Sequence, residues 1–203
     1  MAKKFNLKKG ERFNIDKGLS KLQVDLTWKS PENLVCDLDA TAFLLNDDGT
    51  ISEDADFVYY LSNNRSESYD RQKFGSKANW RDETIPVSFD GSVTGAPDDK
   101  DGGDGETMHV VISKIRPGVT EIVFCVTIYT PGVTFKDVKN PRIVITDEET
   151  GQELCSYALD ENFSTETAVV AGALVLDSEG EWTFEAIGKG FDGGLQTLVD
   201  MYA

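Results

Sequence analysis

A chain of 203 residues, 39% of them hydrophobic, is long enough for one ordinary domain with a sizeable core. Its formal net charge of -16 excludes the cationic footprint through which proteins neutralise nucleic-acid phosphates. The same charge repels an anionic membrane surface unless a bound cation reverses the local field, and the longest apolar run, AVVAGALVL, is shorter than the roughly 20 residues that cross a bilayer.

In chain order, the basic opening MAKKFNLKKGERFNI has no apolar stretch behind it, so it does not read as a secretory signal. Short runs with period-two alternation or full apolarity then predict strands over residues 12–15, 21–28, 35–45, 57–61, 109–115 and 121–128. Further strands are predicted over 141–146, 153–158, 167–176 and 181–187. Turn chemistry separates them: NDDG at Asn46, RPG at Arg116, EETG at Glu148 and SEGE at Ser178. This spacing fits an all-β, antiparallel β-sandwich better than β-α-β units. Two short helices are predicted, over 134–140 and over 195–202, where Leu195, Leu198 and Val199 share a face. Residues 62–106 read as one long polar loop with few apolar anchors, and a loop of that length in a compact domain is commonly functional. No clean linker interrupts the chain, so residues 1–203 are expected to form one domain.

Cys36, Cys125 and Cys155 lie far apart, each in an apolar run and without C-x-x-C spacing. Three such cysteines argue against a disulfide framework and a zinc site, and predict reduced, buried thiols in a cytoplasmic protein.

The acids are more informative because they cluster. In VCDLDATAFLL, residues two apart share a side, so Leu38, Ala40, Ala42 and Leu44 face the core, and Asp37, Asp39, Thr41 and Phe43 face away. Asp37 and Asp39 are then about 6 to 7 Å apart along the backbone, close enough to share an ion near a strand end. A second pair, Asp54 and Asp56, follows the NDDG turn. If that hairpin closes antiparallel, the two pairs sit at opposite ends, which leaves open two acid-lined sites or one built on the first pair plus a loop. The third cluster, APDDKDGGDGE, contains Asp98, Asp99, Asp101, Asp104 and Glu106 among glycines. Calcium takes six to eight oxygen ligands in flexible geometry, whereas magnesium demands a stricter octahedron, so a Gly/Asp loop leans toward calcium. Transition metals would want His or Cys, and the only histidine, His109, lies in an apolar strand. Neither Gly102 nor Gly49 completes an EF-hand loop, because Pro97 and Met108, or Leu44 and Ala55, fall where ligands are required. Composition alone leaves a cation site and a merely solvated acidic loop both open.

GKGFDG at residues 188–193 satisfies G-x-G-x-x-G, but too little chain follows for a dinucleotide-binding unit; it reads as a turn docking the last helix. There is no G-x-S-x-G and no Cys/His neighbourhood, so nucleophilic catalysis is not indicated.

Several segments together resemble the TerD family of tellurium-resistance and stress proteins over nearly the whole length. They include NLKKGERFNIDKGLSKLQVDLTW, DLDATAFLL, DADFVYY, SNN and VTGAPDDKDGGDGE, then EIVFCVTIY, FKDVKNPRIVI, STETAVVAGAL and GEWTFEAIGKGFDGGL. The resemblance implies a β-sandwich that binds calcium (Ca2+) through acidic loops at one edge. The matching positions are Asp37, Asp39, Asp54, Asp56, Asp104 and Glu106, with Asp98, Asp99 and Asp101 in a loop of different spacing. Gly105 stands where the family usually carries an acid, Lys100 adds a positive charge, and residues 65–89 are longer than in short members. The expected function is non-enzymatic: calcium orders the acidic loops, which then present a surface to other tellurium-resistance proteins, including a membrane-associated complex, without direct membrane insertion. A metal-independent acidic interaction module and a metal-dependent enzyme are the alternatives.

Overall fold

The computed structural model describes residues 4–30, 36–68, 70–75, 80–81, 83–96, 105–159 and 163–203. Its first strands are β1 (Phe5–Leu7), β2 (Arg12–Asn14), β3 (Lys21–Lys29), β4 (Leu38–Leu45) and β5 (Phe57–Val58), then helix α1 (Arg71–Phe74) and β6 (Val93–Thr94). There follow β7 (Gly105–Val111), β8 (Glu121–Ile128), β9 (Lys139–Asp147), β10 (Gln152–Ala158), β11 (Ala168–Leu176), β12 (Trp182–Phe191) and helix α2 (Gly194–Tyr202). One sheet has the order β1-β10-β9-β3-β7-β6 and the other β2-β12-β11-β8-β4-β5. The pairings are antiparallel except for the parallel β1–β10. The predicted antiparallel sandwich is therefore the fold.

Alternation decides which side chains fill the space between the sheets. In β3, Leu22, Val24, Leu26 and Trp28 are buried between them while Gln23, Asp25 and Thr27 are less enclosed. From β4, Leu38, Ala40, Ala42 and Leu44 join the same core, as the sequence predicts. Strands β4, β8 and β11 have little polar alternation because their outer face is covered too. Phe43, Leu45, Val123, Cys125, Ala168 and Val170 pack there with Leu198 of α2, flanked by Val199 and Tyr202. Fully burying a side chain such as Leu198 is worth about 1.5–3 kcal/mol, enough to hold so short a helix on the sheet. Cys36, Cys125 and Cys155 are free and buried, and burial pushes the Cys155 thiol up to about 12.

The glycines of GKGFDG are explained by packing. A Cβ on Gly188 would lie 2.1 Å from the Tyr157 hydroxyl, and one on Gly190 would lie 2.6 Å from Glu166 Cγ. Gly193 adopts φ 96° and caps the start of α2. The sequence reads this segment as a turn docking the last helix, but Gly188 to Phe191 still belong to β12, and only Asp192 and Gly193 turn the chain into α2.

Three further expectations need correction. Residues 134–140 form turns, not a helix: the Asp137 and Val138 N–H groups donate to the carbonyls three residues back, of Thr134 and Phe135, at 2.9 and 3.3 Å. Asn140 then takes φ 52°, and β9 is already under way. Strand β7 ends at Val111 and passes into a 3-10 turn, Ile112–Lys114, instead of continuing to residue 115. The long polar stretch is also more ordered than its composition suggests. Arg65, 8% exposed, donates to the carbonyls of Tyr60, Ser62, Arg81 and Thr84 and to the Thr84 hydroxyl, replacing an apolar core with a polar hub.

Candidate functional site

The first acidic pair sits where β4 begins. The Asp37 N–H donates to Thr130 Oγ1 at 2.8 Å, and the Asp37 carbonyl accepts from the Tyr129 N–H at 2.8 Å, so this entry is tied to the end of β8. Asp39 is only 4% exposed and lies directly opposite Thr127 in the β4–β8 register. It shares the outward face of the sheet with Thr41, whose neighbour Phe43 packs under α2. Among the described residues, Thr41 Oγ1 and Thr127 Oγ1 are buried without a hydrogen-bond partner. Asp39 is thus flanked by two enclosed hydroxyl oxygens with coordination capacity to spare.

Glu106 arrives from the opposite sheet. In β7, Glu106, Met108 and Val110 alternate inward, and Glu106 is 8% exposed. Strand β5 pairs with β4 only at Ala42 and Phe43. Beyond that point the Ala40 N–H donates to Glu106 Oε2 at 2.5 Å, so a carboxylate continues the pairing that the short strand leaves off. This bond joins the two sheets one residue from Asp39. Gly105 has a steric reason: a Cβ there would lie 2.5 Å from the Leu26 carbonyl oxygen, so an acid cannot stand at this position without moving β3.

The second pair is placed differently. Asp54–Asp56 is a 3-10 turn, with Asp54 exposed and Asp56 fully buried. Asp56 accepts two parallel bonds from Arg116, Nη1 to Oδ1 and Nη2 to Oδ2, both 2.7 Å, and a third at 3.1 Å from the Glu53 N–H. Since Val58 pairs with Ala42, Asp56 lies abreast of Leu44. That is five residues, or about 17 Å, along the strand from Asp39. The hairpin does put the two pairs at opposite ends.

The structure therefore brings Asp37, Asp39 and Glu106 to one end of the sandwich and leaves Asp54 and Asp56 elsewhere. Asp98, Asp99, Asp101 and Asp104 lie outside the described residues. Among the described residues, no group of three or more His, Cys, Asp or Glu side chains is placed to hold a metal ion. The chemistry of the first site nevertheless suits a hard cation, because everything it offers is oxygen: carboxylates, threonine hydroxyls and backbone carbonyls.

Arg116 is the residue that sequence reading missed. It serves the RPG turn and also neutralises Asp56, while its own N–H donates to Asp90 Oδ2 at 2.9 Å and its guanidinium lies 5.2 Å from the Phe89 ring centre. Burial alone would raise the Asp90 carboxyl, but hydrogen bonds from Ser92, Arg116 and Ser88 hold it below its ordinary value. Arg65 was missed as well. In both cases the only sequence signal is an arginine inside a polar stretch, which does not reveal its partner.

A family model described as the TerD domain matches residues 3–202. General stress protein 16U of Bacillus subtilis (strain 168) is 34% identical over 206 residues, covering 97% of this chain and 96% of that protein. Tellurium resistance protein TerD of Serratia marcescens is 31% identical over 208 residues, with the same coverages of 97% and 96%. Among solved structures, a homologue of telluride resistance protein (TerD) from Streptomyces coelicolor A3(2) superposes with TM-score 0.63 at 20% identity, covering 89% of this chain and 95% of that one. No helix among the described residues is long and apolar enough to cross a membrane.

Proposed function

Because the chain belongs to the TerD family, we propose that it is a non-enzymatic, cytoplasmic calcium-binding protein of tellurium resistance or general stress. The observation that supports the calcium site is the bond from the Ala40 N–H to Glu106 of the other sheet, which brings that carboxylate to the strand end where Asp39, 4% exposed, lies by the buried hydroxyls of Thr41 and Thr127. Enclosed carboxylates repel one another and resist losing water, and a divalent cation offsets both costs. Asp37, Asp39 and Glu106 would hold the ion together with acids from the Asp98, Asp99, Asp101 and Asp104 stretch, which leads directly into β7. Asp56 stays outside this ligand set because Arg116 already balances its charge.

Calcium supplies positive charge and a flexible oxygen coordination sphere. The chain's own residues do the rest. The Ala40 N–H fixes the Glu106 carboxylate, and the Thr130 hydroxyl and Tyr129 N–H hold the entry to β4. Drawing the acid-rich stretch against this end of the sandwich creates a surface for other tellurium-resistance proteins, including a membrane-associated complex. A ligand that binds only the folded state adds about 2.7 kcal/mol of stability when its free concentration is 100 times Kd. Thermal melting with calcium and with chelator tests the reading: calcium is expected to raise the melting temperature, and identical melting would favour a metal-independent interaction module.

A further inference from the structure

At the other edge of the first sheet, the start of β9, the end of β10, strand β1 and the turn over residues 135–138 form a cleft of about 550 Å³. That is within the usual range of small-molecule sites, roughly 300–1,000 Å³. Its wall is apolar, formed by Phe135, Leu159 and Phe163, the two rings meeting at 5.7 Å. Polar groups enter from one side: buried Ser156 donates to Asn6 Oδ1 at 3.1 Å and holds that amide against the cleft.

Among the described residues that line the cleft, the charge is positive. Acids outnumber basic residues 36 to 20 over the sequence, yet the described lining contains Lys136 and Arg142 and no acid. Glu153, the carboxylate near Arg142, is 3.6 Å away and is engaged more closely by Lys4 at 2.6 Å. An apolar wall with a cationic rim selects a ligand having both an apolar body and one anionic end.

We infer that this cleft is a binding site for an amphipathic organic anion, a carboxylate carried on a hydrocarbon body. The site is separate from the proposed calcium site and its ligand set shares no residue with it. The test uses two probes of equal chain length and opposite charge, decanoate and decylamine, titrated into the isotope-labelled full chain while backbone amide shifts are followed. Decanoate is expected to give saturable shifts at residues 135–142 and 156–159, and decylamine to bind there about tenfold more weakly or worse. Lys136→Glu/Arg142→Glu, checked for an unchanged amide spectrum elsewhere, is expected to weaken decanoate by a similar factor. Equal binding of the two probes, or decanoate shifts confined to other parts of the chain, would overturn the inference, and the probe comparison stands even if the double variant fails to fold.

Discussion

Two Asp-x-Asp pairs within one hairpin have opposite surroundings. Asp56 receives its cation from the chain itself, through two 2.7 Å bonds from Arg116, and is completely buried. Asp39 is nearly as enclosed, but lies opposite Thr127 on the outer face of β4, one residue from the Ala40 N–H that holds Glu106 of the other sheet. The same short motif therefore serves two purposes. One acid locks a turn to a distant arginine; the other is enclosed on the outer face of β4, where the proposed cation would bind. Strand register, not composition, separates them.

The largest effect should come from removing the resident cation. Arg116→Ala leaves Asp56 buried without its counter-charge, and breaking such a pair costs about 3–5 kcal/mol. Urea denaturation should show that loss with or without calcium. If calcium restored the stability, the contrast between the two pairs would break down.

The pH dependence sharpens the contrast further. Asp90, bonded to the Arg116 N–H, titrates below its ordinary value. It therefore contributes stability above its unfolded pKa of about 3.9, and that contribution disappears as pH falls through the lower folded value. Asp90→Asn should flatten this acid limb, as followed by urea midpoints across pH.

The smallest effect concerns an acid with neither kind of compensation. Glu121 is raised by burial and by the nearby Glu185. Its cost is absent below the unfolded pKa of about 4.3 and grows as pH rises through the folded value. Glu121→Gln should thus stabilise the protein at pH 7 by less than about 1 kcal/mol and do nothing in acid. Melting temperatures at the two pH values would check the sign.

Much of this was legible in the sequence where one strand supplies its own pattern. KLQVDLTWK announces β3, and DLDATAFLL separates Leu38 and Ala40 from Asp39 without any long-range information. Strands β1 and β6, of three and two residues, are too short to show a period. The role of Arg116 depends on a partner 60 positions away, and that of Arg65 on carbonyls from several turns, so neither leaves a local signature. The predicted helix over 134–140 is absent because Asn140 takes φ 52° and β9 begins at Lys139, paired with β3, a long-range pairing that apolar periodicity does not register. For the candidate site, the sequence supplied the acids, and the cross-sheet meeting of Glu106 with the Ala40 N–H supplied their grouping.

Calorimetric titration of calcium into the wild-type chain, Asp37→Asn/Asp39→Asn and Asp54→Asn compares the two pairs in one experiment. Saturable binding should appear in the wild type, remain unchanged in Asp54→Asn and disappear in Asp37→Asn/Asp39→Asn. Binding that survives in Asp37→Asn/Asp39→Asn, is lost in Asp54→Asn, or is absent from the wild type would contradict the assignment.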